Sequence, residues 1–140
     1  MKLYNGEGML LGRLASRVAK DALLGEEVSV VNCEKIMVSG SKEINFARAK
    51  QKRGWGGHPL RRQTHSRLPD KWVRRSIRGM LPWKQARGKE AYKLIKCRIG
   101  LPEELRGKEL ITLSDASVKK LPNLKYTTIG EICRHIGGKV

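Results

Sequence analysis

No apolar run in the sequence approaches the ~20 residues that a membrane-spanning helix needs. The opening residues, Met1 to Gly8, break any apolar stretch with Gly6, Glu7 and Gly8, unlike a secretory leader. Both absences predict a chain that stays in the cytoplasm. Cysteine is sparse. Cys33, Cys97 and Cys133 are odd in number, far apart and never paired as Cys-x-x-Cys, which argues against a disulfide framework and a zinc site and leaves each to pack as a small hydrophobe.

Catalytic apparatus is missing as well. Ser39-Gly40-Ser41-Lys42 lacks the upstream glycine and the Gly-Lys-Ser/Thr order of a phosphate loop, and reads instead as a turn after the strand Ile36-Met37-Val38. His58, His65 and His135 stand at no metal-ligand spacing, and the acids lie mostly outside the segment richest in base, so no paired-carboxylate site suggests itself. The expectation is a protein with no metal, cofactor or small-molecule substrate that is not an enzyme. There is also no internal repeat.

What the chain has in excess is positive charge. Thirty Lys and Arg against thirteen Asp and Glu give +17 over 140 residues. Such a charge strains a compact monomer by self-repulsion, so a polyanion is the natural partner, and without a membrane segment that polyanion is nucleic acid. The charge is also unevenly placed. Residues 1–41 hold five basic and five acidic side chains, residues 99–140 hold seven and five, and residues 42–98 hold eighteen and three, the three being Glu43, Asp70 and Glu90. A solvated surface spreads charge of both signs; a nucleic-acid-binding segment concentrates one.

The flanks read as an ordinary α/β fold. Leu11, Leu14, Val18 and Ala22 recur at three- and four-residue steps and predict a helix that Gly25 ends in the left-handed conformation. Val28-Ser29-Val30-Val31 and Leu110-Ile111-Thr112-Leu113 read as short buried strands of a parallel sheet. Thr128 and Glu131 form a capping-box pattern, and Ile129, Ile132, Cys133 and Ile136 give the buried stripe of a last helix that stops at Gly137-Gly138. Alternating helix and strand predict a small parallel sheet with helices on its faces, in one domain over 1–140 with a basic insertion.

Within that insertion, Lys42 to Lys52 predicts a helix with a basic face, anchored by Ile44 and by Phe46 or Ala47. Residues 53–67 hold three glycines and a proline with little to bury, which predicts an extended loop that orders against its partner. Pro69 or Asp70 starts a further helix with Val73, Ile77 and Met80 inward, stopped by Pro82, and a last basic helix runs from Lys89 to Lys96 over Ala91, Leu94 and Ile95.

Arginine presents planar paired donors to phosphate and lysine a mobile point charge; both release counterions on binding, so affinity falls with salt. Flat rings add stacking on unpaired bases, roughly 1–3 kcal/mol each. Charge and position therefore mark Arg48, Lys50, Lys52, Arg53, Trp55, His58, Arg61, Arg62, His65 and Arg67 as RNA contacts, with Arg74, Arg75, Arg78, Lys84 and Arg87 continuing the surface. Some of these arginines can equally brace the fold, and Trp83, beside Pro82, is as much a packing residue as a stacking one.

Three blocks of the chain resemble the L13 family of large-subunit ribosomal proteins: Gly12-Arg13-Leu14-Ala15-Ser16, then Val30-Val31-Asn32-Cys33-Glu34-Lys35-Ile36 with Ser39-Gly40, and Arg78-Gly79-Met80-Leu81-Pro82 with Arg87-Gly88. They follow the family's order over almost the whole chain. Gly100-Leu101-Pro102-Glu103-Glu104 departs from the bacterial pattern and is similar to the archaeal and eukaryotic branch. The resemblance implies a three-layer α/β/α fold around a four-stranded parallel sheet. It also implies binding to 23S-type rRNA within the large subunit, a part in its assembly, and contacts with neighbouring ribosomal proteins. Two other classes compete with a ribosomal structural protein: a free RNA-binding regulator, which would show a pool off the ribosome, and a small α/β enzyme, which would turn over a substrate.

Overall fold

In chain order, the elements of a computed structural model are β1 (Lys2–Asn5), α1 (Leu11–Leu23), β2 (Val28–Val31), β3 (Met37–Ser39), α2 (Lys42–Gly54), α3 (Pro69–Gly79), α4 (Ala86–Lys93), β4 (Ile95–Cys97), β5 (Tyr126–Thr128) and α5 (Ile129–His135). The structure describes residues 1–56 and 65–140. Strands β1, β2 and β4 form a parallel sheet in the order β1-β2-β4, with Tyr4 opposite Val30 and Val28 opposite Ile95. Strands β3 and β5 pair antiparallel in a separate ribbon, Val38 opposite Thr127.

Strand alternation divides the residues between two faces. Tyr4, Val28, Val30 and Ile95 join the main core, where Leu14, Ala15, Val18, Ala19 and Ala22 of α1 meet Val73 and Ile77 of α3. Each fully buried aliphatic side chain there contributes roughly 1.5–3 kcal/mol. The three- and four-residue spacing that predicts α1 is thus the spacing of its buried face, and Gly25 closes the helix at φ 88° as expected. Leu3 and Val31 point the other way and pack on Leu101, Leu105 and Leu110. That second face is covered by an irregular segment with one short helical turn, Glu103–Leu105, and by no described helix.

The sheet therefore has three strands where the family resemblance implies four. Leu110–Leu113 is not a strand: only Ile111 pairs, with Tyr4, its N–H donating to Leu3 O (2.8 Å) while Asn5 N–H donates to Ile111 O (3.1 Å). The expected helix from Lys89 to Lys96 is also corrected. It begins earlier, at Ala86, ends at Lys93, and the chain turns straight into β4 because Ile95 and Cys97 face the core while Lys96 is exposed. In α3, Met80 lies beyond the last turn and is exposed; Leu81, the next residue, takes the buried place. In α2, of the expected anchors Phe46 packs, partly buried, on Ala49, Ile132 and Ile136, whereas Ile44 is 61% exposed and Ala47 exposed; the fully buried positions are Asn45 and Ala49. Asn45 is held there by its side-chain amide, which donates to Thr127 Oγ1 (3.3 Å) and to the Gly40 carbonyl (3.3 Å).

Two polar clusters fix the scaffold. Under α1, buried Asp21 accepts a hydrogen bond from Tyr4 Oη at 2.5 Å and lies near Lys2 Nζ and Arg17 Nε. At the other end the expected capping box forms: Glu131 N–H donates to Thr128 Oγ1 (3.2 Å) and Thr128 N–H to Glu131 Oε2 (3.3 Å). Glu131 also receives Lys42 Nζ at 3.1 Å, and His135 stacks on Phe46 with ring centres 4.2 Å apart. Helix α5 thereby clamps the root of α2. Cys33 and Cys133 are buried and Cys97 partly so, all three as free thiols. The neighbouring Cys97 side chain and burial push the Cys33 thiol up, and burial pushes Cys133 up to about 11, so both stay protonated. No described helix is long and apolar enough to cross a membrane.

Candidate nucleic-acid interface

Helices α2, α3 and α4 carry the insertion's cations, and their side chains fall into three settings. Arg48 and Lys50 on α2, and Lys84 and Arg87 around the start of α4, are exposed, and no described carboxylate lies within ion-pair distance of them. The flanks behave oppositely: Lys2 pairs with Asp21 and Glu26, Lys35 with Glu7, Lys120 with Asp115 and Arg106 with Glu103. Of the insertion's cations, Lys42 pairs with Glu131 and Arg98 lies near Glu104, both carboxylates of the C-terminal flank, while Arg48, Lys50, Lys84 and Arg87 stay open to solvent, an arrangement that attracts a polyanion.

The second setting is over aromatic rings. Arg74 lies 4.4 Å from the centre of the Tyr92 ring and Arg78 5.3 Å from that of Trp83, and the two rings meet edge to face at 5.0 Å. This ladder ties α3 to α4. Arg74 and Arg78 therefore serve as braces in the free protein as well as carrying surface charge, and Trp83 is a packing residue whose ring remains 40% exposed. Arg67 is likewise engaged, its Nη1 donating to the Gly137 carbonyl at 3.4 Å.

The third setting is a cluster where α2 ends beside α3. Arg53 Nη1 donates to the His65 carbonyl (2.9 Å). Trp55, half exposed, meets the His65 ring edge on at 6.3 Å, and His65 is in turn 6.3 Å from Trp72. Burial, then the charges of Arg75 and Lys52, hold the His65 imidazole below its ordinary pKa, so it is neutral at pH 7. The structure thus brings Lys52, Arg53, Trp55, His65 and Arg75 together, holds Arg67, Arg74 and Arg78 in internal contacts, and leaves Arg48, Lys50, Lys84 and Arg87 outward. His58, Arg61 and Arg62 lie outside the described residues.

Several cations beyond the residues marked as RNA contacts stand on or beside this surface. Lys71, Lys93, Lys96 and Arg98 surround a cavity of about 380 Å³ between α3 and β4, with Asp70 the one acid on its wall. Asp70 Oδ1 and Arg74 Nε are buried there without a hydrogen-bond partner among the described residues. On α1, Arg13, Arg17 and Lys20 follow one another at helical steps; Lys20 shares a shallow depression with Arg87, Leu24 and Met80. The signal for that stripe was the i, i+4, i+7 spacing itself, hidden when charge is summed over a segment whose total is zero. Among the described residues no group of three His, Cys, Asp or Glu is placed to hold a metal ion.

The model of one family, described as Ribosomal protein L13, matches residues 1–104. The chain is 40% identical over 139 residues to the large ribosomal subunit protein uL13 of Methanococcoides burtonii, covering 99% of both chains. It is 40% identical over 136 residues to that of Archaeoglobus fulgidus (96% of this chain, 86% of the relative), and 37% over 142 residues to that of Methanocaldococcus jannaschii (99% of both). The family match ends at Glu104, whereas the likeness to these archaeal relatives runs over nearly the whole chain.

Proposed function

Because the chain belongs to the ribosomal protein L13 family, we propose that it is a non-catalytic structural constituent of the large ribosomal subunit. In this role it binds 23S-type rRNA through residues 42–98, supports subunit assembly, contacts neighbouring ribosomal proteins and acts in the cytoplasm. The observation that carries this reading is that the insertion holds eighteen bases to three acids and exposes Arg48, Lys50, Lys84 and Arg87 with no described carboxylate partner. RNA phosphates supply the missing anions, and counterion release makes the union favourable. His58, Arg61 and Arg62 belong to the same contact by charge and position. The chain acts as one domain over 1–140. The three-layer, four-stranded arrangement is the state that residues 110–113 complete beside β1 in the assembled particle, a reading supported by the two hydrogen bonds Ile111 already makes there.

Sedimenting a lysate on a sucrose gradient tests the proposal. The chain is expected in the large-subunit fractions after a moderate salt wash and to leave them progressively as salt rises. A chain found mostly at the top of the gradient, or one whose retention ignores salt, would refute it in favour of a free regulator.

A further inference from the structure

The cluster at the end of α2 encloses more than a patch of charge. A cavity of about 220 Å³ opens there, lined by Lys52, His65, Ser66, Lys71, Trp72 and Arg75, and no described carboxylate lines it. Its two aromatic walls, His65 and Trp72, are inclined at 52° rather than stacked, and Trp55, outside the lining, meets His65 edge on at 74°. Two rings so inclined do not cover one another face to face. Trp72 is anchored from behind, packed against the main core and against the cluster of Ala49, Ile132 and Ile136, so the wall it offers is rigid. His65 Nε2 is buried without a hydrogen-bond partner among the described residues, so the ring is held by packing and leaves no polar edge committed within the cavity wall.

We propose that this cavity receives one unpaired nucleotide of an RNA, its base against His65 and Trp72 and its phosphate toward Lys52 and Lys71. The inference rests on the RNA-binding reading above and sharpens it. A phosphodiester alone would need only the cations; two aromatic rings standing beside those cations call for a base. A duplex keeps its bases stacked inside and cannot offer one, whereas a bulge or a single strand can. The neutral state of His65 serves the same end, because an uncharged imidazole presents a stacking face without adding to the repulsion among Lys52, Lys71 and Arg75.

The test compares the intact chain on two fluorescent RNA hairpins that differ only by one bulged nucleotide. The chain is expected to bind the bulged hairpin roughly tenfold more tightly than the perfect one, the value of one stacked base. His65→Ala should bring the ratio of the two affinities to about one, whatever it does to the affinity for the perfect hairpin. In the unaltered chain, the His65 ring resonances should shift with the bulged hairpin and stay still with the perfect one, a readout that needs no variant to fold. Equal affinity for the two hairpins, or a preference that survives His65→Ala, overturns the pocket while leaving RNA binding intact. Failure to bind either hairpin overturns the RNA reading itself. Displacement of the His65 signals by oligoglutamate, with none by single-stranded RNA, overturns the nucleotide in favour of an acidic protein segment.

Discussion

Asp21→Ala should destabilise the fold by about 3 kcal/mol, and the size follows from what the carboxylate touches. Its side chain is 3% exposed and accepts the Tyr4 hydroxyl at 2.5 Å, a short charge-assisted bond. A hydrogen bond to a charged group is worth about 1.5–3 kcal/mol, and removing the acceptor also leaves the Tyr4 hydroxyl buried without a partner. Lys2 and Arg17 add little, since both reach solvent and their attraction is screened. Asp21→Asn keeps an acceptor for Tyr4 and should lose about half as much. Tyr4→Phe removes the donor, costs about 2 kcal/mol, and combined with Asp21→Ala should fall short of additivity by about 1.5 kcal/mol, because the two changes delete the same bond. Urea denaturation followed by far-ultraviolet circular dichroism measures all four variants. An Asp21→Ala change within about 0.5 kcal/mol of the parent, or strictly additive single changes, would show that this contact does not hold α1 to β1. None of the four should alter the salt dependence of RNA binding.

Gly88→Ala places a Cβ 2.2 Å from the Pro82 carbonyl oxygen, a backbone atom that cannot step aside. Despite alanine's better helix propensity, the thermal midpoint should fall, by the equivalent of about 1–3 kcal/mol; an unchanged midpoint would contradict the packing of α4 on the 81–85 turn. Burial opposes ionisation of Glu131, but the Lys42 ammonium and the Thr128 backbone N–H outweigh it and hold its carboxyl below the ordinary 4.5. A depressed carboxylate stabilises the fold above its unfolded pKa and stops doing so as pH falls through the folded one. Glu131→Gln should therefore be less stable than the parent near neutrality, by at most about 1 kcal/mol given its solvent exposure, with the two denaturation curves converging in acid. Replacing Arg48, Lys50, Lys84 and Arg87 together by Gln should leave stability within about 0.5 kcal/mol and flatten the logarithmic salt dependence of rRNA binding by roughly one unit for each phosphate no longer neutralised. A slope unchanged by all four would place the interface elsewhere.

What could be read ahead of the structure was local. The face of α1, its stop at Gly25 and the Thr128–Glu131 cap each depend on residues within a turn or two of one another, and each was visible as spacing. Strand β4 was not, because Ile95 is apolar enough to continue a helix and becomes a strand only through pairing with Val28, 67 positions earlier. The Leu110–Leu113 run failed in the opposite sense: its composition suits a strand, but only Ile111 finds a partner. Counting three from Ile77 puts Met80 inward only while the helix lasts, and it ends at Gly79. At the interface, the concentration of charge was legible because it needs only a count. Which cations are committed to rings was not, since Tyr92 and Trp83 reach Arg74 and Arg78 from outside their own helix.

The clamp of α5 on α2 joins Lys42 to Glu131 across 89 positions. During vectorial synthesis the most cationic part of the polypeptide is therefore made well before the partner that steadies its root. A nascent insertion in that interval meets polyanions before residues 128–135 add the Lys42–Glu131 pair and the Phe46–His135 stack at its root. Variants that weaken the Phe46–His135 stack should consequently show their defect less in the finished particle than in the yield and timing with which it is made.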